Sequence, residues 1–565
     1  MRLEELQVAG EAAPWLTQEG LQTLQGGYLL PDETPKGMYR RLADHAEQLL
    51  GVKGFSDKVF QLFWKGWLCP ATPVASNFGA NRALPISCYS LAIDDSVSGI
   101  FNSLHEMAML SKNGGGVAYD FSRIRHRGAG IAGNIGKSEG VIPWLKIFDV
   151  TTVSVSQGAV RRGATAAYAP VDHGDIHEFL NIRRPTGDQN RQCLNIHHGV
   201  TITDEFMHKV ESGDKEARAL WIEILKTRQE TGEPYLMFID NVNRQNPDCY
   251  KSNNLNVLAS NICSEIVLHS DLEHTFVCCL SSMNLSRYDE WKDTDAVETA
   301  IWFLDAVMED FINRAKDMPG FERAVRFAVK SRALGLGALG WHTYLQEHSI
   351  PFESFEAFKL NSQIFKQIQQ QANKATRDLA AKYGEPEWCK GFGVRNTHTI
   401  ALAPTVSNAI ISGNVSPSIE PLPANAFTKK TAKGAFIQQN PTLRKILAAK
   451  GKDTDEVWKS IAIEDGSVQH LDFLSEHERE VFKTGREINQ MAVVNQAAAR
   501  QKYIDQAQSV NLLFPPDVDP KYFHKVHMEA WRQGLKTLYY CRTGAVLKGD
   551  VATRFYDDSC KACEG

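Results

Sequence analysis

The chain has 565 residues, 43% of them hydrophobic and 23% charged, with a formal net charge of −5. This is the composition of a folded globular protein, long enough for several domains or one enlarged barrel. The mild negative charge excludes a general nucleic-acid binder, which needs a clustered basic surface. No run of eighteen apolar residues argues for a membrane span, and Met1-Arg2-Leu3-Glu4-Glu5-Leu6 lacks the basic start and apolar core of a secretion signal. A cytoplasmic location is expected.

In chain order, residues 1–60 read as helical, with Pro14 and Pro31 interrupting an amphipathic pattern. Leu68-Cys69-Pro70-Ala71-Thr72-Pro73 follows as a Pro-bounded turn that offers the Thr72 hydroxyl, and then comes Leu84-Pro85-Ile86-Ser87-Cys88. Asp94-Asp95-Ser96 opens a helix from Val97 to about Leu110, where Asp and Ser also read as plain caps. The triple glycine after Lys112-Asn113 permits close backbone approach but lacks the ending of a phosphate-binding Walker loop. Arg123-Ile124-Arg125-His126-Arg127 precedes a Gly-rich segment, 128–140, and cationic forks beside such a loop suit a triphosphate or a solvated turn. A helix around Trp144 to Val153 leads to Ser156-Gln157-Gly158-Ala159-Val160-Arg161-Arg162-Gly163, a basic turn by its residues alone. Residues 200–245 read as helix.

Ser260-Asn261-Ile262-Cys263-Ser264-Glu265-Ile266 stands in the middle of the chain. In an extended backbone its amide, thiol and carboxylate share one face, whether as a reactive set or as a half-buried strand with incidental polar residues. Downstream, 294–316 shows a 3–4 apolar stripe. The repeated glycines of 332–340 fit a close-packed barrel strand better than a dinucleotide fingerprint. A helix from about Phe358 to Lys382 stops at Gly384. Ala403-Pro404-Thr405-Val406-Ser407-Asn408 reads as a capped helix start or a phosphate cradle, and Tyr539-Tyr540-Cys541 precedes a polar tail carrying Cys560-Lys561-Ala562-Cys563.

Eleven cysteines are an odd number, which in a chain without a secretion signal fits thiol chemistry better than a disulfide framework. The lone C-x-x-C has no second pair or nearby histidines, so no metal site is expected. A mobile terminal dithiol exchanges readily with other disulfides.

Cys88, the Asn261-Ile262-Cys263-Ser264-Glu265 motif, Cys278-Cys279-Leu280-Ser281, the tyrosine pair and the terminal C-x-x-C, in this order, resemble the large catalytic subunit of ribonucleotide reductase, over roughly residue 15 to the C-terminus. The resemblance implies an α/β fold, a ten-stranded α/β barrel with a central finger loop. It implies a helical region at 1–60 without the family's ATP-cone, the barrel at 61–545 and a flexible redox tail at 546–565. By the same resemblance Cys263 forms the thiyl radical, Glu265 and Asn261 serve it, and Cys88 with Cys278 supplies reducing equivalents. Cys279 adjoins Cys278, and the family frame selects Cys278. Tyr539 and Tyr540 correspond to a radical relay, and Cys560 and Cys563 to the dithiol that re-reduces the active site. Thr72, Ser87, Thr405, Val406, Ser407 and Asn408 border substrate; Asp95, Ser96, Arg125, Gln157 and Arg161 serve a nucleoside triphosphate effector. The remaining Cys193, Cys249, Cys389 and Cys541 read as buried small hydrophobes.

The implied enzyme is a class I ribonucleoside-diphosphate reductase, a homodimer with no cofactor of its own. It receives its radical from a ferritin-like, metal-containing small subunit and is recycled by thioredoxin or glutaredoxin. Two alternatives are an adenosylcobalamin-dependent class II enzyme, for which the tyrosine pair is unnecessary, and a catalytically silent nucleotide sensor, which would lack an essential cysteine.

Overall fold

The computed structural model describes residues 2–543 except 132, 134–135, 156–162, 186 and 432–433. The N-terminal region is built from the helices Leu3–Val8, Gln18–Gln25, Pro35–Leu50 and Phe55–Trp64. Their starts are written locally: Thr34 accepts from the Gly37 amide with Pro35 at the first helical position, the arrangement that uses proline where its missing N–H costs nothing. Their apolar faces bury Leu21, Leu42, Val59 and Phe63 against one continuous core.

The barrel strands are β1 (Leu68–Pro70), β2 (Cys88–Ala92), β3 (Gly116–Asp120), β4 (Thr165–Pro170), β5 (Ile196–Ile202), β6 (Tyr235–Phe238), β7 (Phe276–Asn284) and β8 (Leu334–Leu339). β9 (Ala426–Thr431) and β10 (Gly434–Gln439) form a separate antiparallel pair. β11 (Leu512–Phe514), β12 (Thr537–Leu538) and β13 (Cys541–Thr543) complete the set.

β2 to β6 run parallel in sequence order. β7 and β8 are parallel, and parallel bridges continue from Leu336 to Ile400 and from Leu402 to Gln508. The segment around Gln508 runs on into β11, which pairs in parallel with β13. The two halves meet antiparallel twice, β2 against β7 and β12 against β6. Counting the segments around 400 and 508 and taking β12 and β13 as one stave, ten staves close on themselves, as expected. β1 pairs antiparallel with the C-terminal part of β7, on the edge that β2 takes at its N-terminal end.

Nearly every residue of these strands is buried, as a parallel sheet covered by helices requires. Close packing sets two of the glycines. A Cβ at Gly116 would stand 2.1 Å from Ile262 Cδ1, and one at Gly335 would stand 2.5 Å from Leu280 Cδ2 and 3.1 Å from Cys278 Sγ. The long helix Ala296–Ala315 packs on β7 and β8 with the predicted stripe buried. Asp305 on that helix is buried between Arg332 and Arg395, each within 3.0 Å.

The structure corrects the helical reading of 200–245. That stretch holds the end of β5, helices Asp204–Ser212 and Lys215–Thr231, strand β6 and helix Ile239–Arg244. The four residues of β6, Tyr-Leu-Met-Phe, are all buried, so no alternation marks them as strand.

Candidate active site

Between β6 and β7 the chain leaves the wall and enters the barrel as a hairpin-like finger. Its root is the antiparallel bridge Val257–His269. Its tip is a tight turn rather than the expected extended strand. The Asn261 amide donates to the Ile266 carbonyl at 3.1 Å, the Ile266 amide donates to Asn261 Oδ1 at 3.0 Å, and Ser264 takes a left-handed φ of 70°. Cys263 sits at the apex of that turn, buried.

Three wall contacts hold the tip. The Ala507 amide donates to the Glu265 carbonyl at 2.9 Å. Ser509 Oγ lies 2.5 Å from the Cys263 carbonyl oxygen and 3.1 Å from Glu265 Oε2, so one hydroxyl proton bridges both residues. Tyr168 of β4 places its hydroxyl 2.5 Å from Ser260 Oγ and donates to the Asn261 carbonyl at 3.0 Å. The tip is thereby fixed from opposite sides of the lumen.

Glu265 is buried and its Oε1 has no hydrogen-bond partner. Burial raises its pKa to about 7, against hydrogen bonds from Asn261 and Ser509 that lower it. A carboxyl poised near neutrality is suited to accepting a proton. Asn261 Nδ2 donates to Cys88 Sγ at 3.2 Å, which ties the finger to β2.

Cys88 and Cys278 are register partners across the antiparallel β2–β7 seam. The Cys278 thiol is held well above its ordinary pKa by burial first, with the charges of Cys279, Cys88 and Glu265 adding to it. Gln506 Nε2, 3.6 Å from Cys278 Sγ, opposes that shift. Cys279 points the other way, its thiol donating to the Leu304 carbonyl at 3.3 Å behind the sheet. Cys193, Cys249, Cys389 and Cys541 are buried, as expected of small hydrophobes.

The expected substrate residues form a polar rim rich in unmet hydrogen-bonding capacity. Thr405 caps the short helix Val406–Ile411 and accepts from the Ser418 amide at 2.8 Å. Ser87 Oγ, Ser418 Oγ and both side-chain polar atoms of Asn408 are buried without hydrogen-bond partners. Val406 and Ser407 lie half-buried beside them. Thr72 is buried 2.8 Å from the Tyr28 hydroxyl. Such orphaned groups are costly in an interior and mark a place where a polar ligand completes the bonding.

On the outer face, Arg125 Nε donates to Asp95 Oδ2 at 2.7 Å and its Nη1 to the Gly130 carbonyl at 3.1 Å, so two of the expected effector residues form one ion pair. Ser96 caps the helix Val97–Lys112, accepting from the Gly99 amide. Gln157 and Arg161, like Cys560 and Cys563, lie outside the described residues.

Tyr539 and Tyr540 fall between β12 and β13, and this break in the ladder defeats the strand rule that would send them to opposite faces. Both are buried, with ring centroids 4.3 Å apart. Tyr235 of β6 packs on both, at 4.7 and 5.1 Å. Arg228 Nη1 donates to the Tyr539 carbonyl at 3.1 Å, and the Tyr540 hydroxyl lies 3.3 Å from His197 Nδ1.

Sequence reading missed Tyr168, Tyr235, Gln506 and Ser509. Their only local signal is the polar alternation of Gln506, Gln508 and the residues around them; each acts across a long sequence separation. As an ensemble, a buried thiol, a carboxyl titrating near neutrality and two facing thiols can support hydrogen abstraction, proton transfer and thiol–disulfide exchange.

Comparison with known proteins places this geometry. The family model "Ribonucleotide reductase, barrel domain" matches residues 86–216, 214–392 and 387–541, and "Ribonucleotide reductase, all-alpha domain" matches 15–83. A Frog virus 3 (isolate Goorha) relative is 42% identical over 545 residues, 92% of this chain and 94% of its own. The ribonucleoside-diphosphate reductase large subunit of Invertebrate iridescent virus 3 is 35% identical, covering 97% of this chain and 98% of that one. The structure of the Actinobacillus ureae class Id ribonucleotide reductase alpha subunit superposes with a TM-score of 0.88 at 44% identity, over 94% of this chain and 98% of the other. With both domain models matched along most of its length, the chain belongs to the ribonucleotide reductase large-subunit family.

Proposed function

We propose that this chain reduces ribonucleoside diphosphates to 2′-deoxyribonucleoside diphosphates, supplying deoxynucleotides for DNA synthesis as a class I catalytic subunit. The observation that carries the reading is the finger tip: Cys263 at its apex, Glu265 beside it with an unpartnered oxygen, and the Cys88–Cys278 register pair on the adjoining seam. The class assignment is supported by the 44%-identical class Id alpha subunit.

In this mechanism Cys263, oxidised by one electron and short of its proton, takes the 3′-hydrogen atom of the substrate. The Glu265 carboxylate receives the 3′-hydroxyl proton while the C2′–O bond breaks and a thiol of the Cys88–Cys278 pair protonates the departing 2′-hydroxyl, which leaves as water; Glu265 returns its proton to the 3′-oxygen when the dithiol has reduced the intermediate. Asn261 orients the sugar hydroxyl. Cys88 and Cys278 together give two electrons and two protons and become a disulfide; the hydrogen atom then returns to C3′ and Cys263 regains its radical. The raised Cys278 pKa keeps that residue a thiol until the substrate radical forms, since the thiolate is the form that reacts readily with oxidants. Thr72, Ser87, Thr405, Val406, Ser407 and Asn408 hold the substrate, with its diphosphate at the start of the helix Val406–Ile411.

A metal-containing, ferritin-like small subunit supplies the oxidising equivalent, which enters through Tyr540 and Tyr539. Cys560 and Cys563 re-reduce the Cys88–Cys278 disulfide by exchange and are themselves recycled by thioredoxin or glutaredoxin. Asp95, Ser96 and Arg125, with Gln157 and Arg161, form the triphosphate effector site. Exposed Val97, Phe101, Val150 and Val153, on helices Val97–Lys112 and Val141–Ser154, give the neighbouring face an apolar character that supports a homodimer there. No described helix is long and apolar enough to cross a membrane; the thiol chemistry supports a cytoplasmic setting.

The test is deoxynucleotide formation by the purified chain with a ribonucleoside diphosphate, an effector and dithiothreitol. Product only on addition of a ferritin-like small subunit is expected. Product with adenosylcobalamin alone would assign class II and reduce the tyrosine pair to packing. Silence under both conditions, with folded chain and a competent partner, would overturn the catalytic reading.

A further inference from the structure

The root of the finger carries a second cluster of chemistry-bearing side chains, apart from the lumen. Just past the Val257–His269 bridge the chain turns through 271–274, with Asp271 Oδ1 accepting from the amides of Glu273 and His274 at 2.8 Å each. That turn sets the His274 ring beside the carboxylate, Nδ1 to Oδ1 at 3.0 Å, while His269 Nε2 lies 3.1 Å from Oδ2. One donor atom from each of the three residues falls within 4.8 Å of the others. Ligand atoms around a tetrahedral zinc ion, with bonds of about 2.0–2.1 Å, stand about 3.3 Å apart, so small ring rotations suffice to close the set.

The surrounding contacts leave the three side chains placed for a cation. His269 Nδ1 is 2.7 Å from the Asn256 carbonyl, to which it can only donate. The other ring nitrogen, Nε2, is thereby aimed at Asp271 Oδ2. A carbonyl holding the far nitrogen of an imidazole is also the usual support of a metal-bound histidine. His274 Nε2 is buried without a hydrogen-bond partner. The Trp388 ring walls one side, 5.8 and 5.2 Å from the two imidazoles. Nearby charges are otherwise engaged: Lys330 with Glu387, Arg326 with Glu273 and Arg323 with Glu106. Among the described residues, the ion pairs of Asp271 are with these two histidines. Side-chain exposures of 12%, 34% and 12% for His269, Asp271 and His274 leave an ion a route in.

We propose that His269, Asp271 and His274 bind one divalent transition-metal ion, zinc being the best match to two imidazoles and a carboxylate, with solvent in the fourth position. Magnesium and calcium prefer all-oxygen sets. The ion fixes the ring of His269, and through its Nδ1–H the Asn256 carbonyl on the opposite strand, so it pins the finger where it leaves the wall. It takes no part in the radical chemistry.

The experiment uses the full chain carrying Cys560→Ser and Cys563→Ser, because the terminal dithiol would itself take zinc. After metal removal, Zn²⁺ binding is measured by calorimetry and elemental analysis, and Co²⁺ binding by visible absorption. One ion per chain is expected, with a tetrahedral cobalt spectrum. His274→Ala and, separately, Asp271→Asn should weaken binding at least about tenfold, a loss that even outer-shell changes around a metal can cause, while Glu273→Gln should not. Zn²⁺ should raise the melting temperature of the parent and of Glu273→Gln but not that of His274→Ala. No binding by the parent, or equal binding by His274→Ala and Asp271→Asn in folded protein, overturns the proposal.

Discussion

Replacing Glu265 by Gln should abolish turnover and at the same time stabilise the protein, with a pH dependence that identifies the cause. The buried carboxyl has its pKa raised from 4.5 to about 7. A carboxyl raised on folding binds its proton more tightly in the native state than in the unfolded chain. Its ionisation therefore costs native stability progressively as pH rises from about 4.5 to 7, and the full cost is present above 7. The gap corresponds to about 3 kcal/mol. Glutamine keeps an oxygen for the Ser509 hydroxyl and never ionises, so the cost disappears. For 565 residues, with an unfolding entropy of about 2.1 cal/mol/K per residue, that is a gain of about 3 °C in melting temperature at pH 8 and almost none at pH 5. Scanning calorimetry of parent and variant from pH 5 to 8 gives the difference directly, since every other titrating group cancels. Activity should move the opposite way: the parent should lose rate below pH 7, and the variant should form no product. A melting-temperature difference that stays flat across this range would refute the claim that burial dominates Glu265.

Cys278→Ser should lose multiple turnover, whereas Cys279→Ser should stay within about twofold of the parent, because the Cys279 thiol faces the Leu304 carbonyl behind the sheet; the reverse result in a turnover assay would reassign the pair. Ser509→Ala removes a hydroxyl that lowers the Glu265 pKa, so the acid limb of the pH–rate profile should move upward by about one pH unit, the equivalent of one hydrogen bond of about 1.4 kcal/mol, and the rate at pH 7 should fall about fivefold as the ionised fraction drops from about a half to about a tenth; an unmoved limb would count against the contact. Tyr540→Phe keeps the packing on Tyr539 and Tyr235 but loses the oxidisable hydroxyl, so turnover driven by the small subunit should fall to background with the melting temperature almost unchanged. Asp305→Ala strands Arg332 and Arg395 without their shared carboxylate and should cost about 3–5 kcal/mol in denaturant unfolding; a loss below 1 kcal/mol would show that water compensates both guanidiniums.

Reactive residues were legible because chemistry constrains their identity: a thiol two residues from a carboxyl and a terminal dithiol can be read directly. Their three-dimensional arrangement was less so. Alternation from Asn261 to Glu265 fits an extended strand, and neither Gly nor Pro marks the turn that the structure forms there; the turn is imposed by reciprocal hydrogen bonds between Asn261 and Ile266 and a left-handed Ser264. β6 escaped because four buried residues inside a helical stretch carry no period. Tyr168 and Ser509 hold the tip across 93 and 246 residues of sequence, and no local pattern encodes a partner at that distance. The fold class came from the family resemblance, since periodicity alone goes no further than α/β.

The two antiparallel seams explain why a barrel otherwise made of parallel strands suits this chemistry. Directly opposed residues in an antiparallel pair have Cα atoms about 4.5–5.5 Å apart, inside the range a disulfide needs. Cys88 and Cys278 occupy such a pair, so they can join and separate without moving the wall. The other seam, β6 with β12, lies on the far side of the ring, and there Tyr235 packs against Tyr539 and Tyr540. The tyrosine cluster and the cysteine pair are thus set on opposite walls, with the finger between them. On the proposed mechanism this separation is what protects the oxidant. A tyrosyl radical adjoining the Cys88–Cys278 dithiol would be quenched by it, whereas one across the lumen reaches those thiols only through Cys263 and a bound substrate.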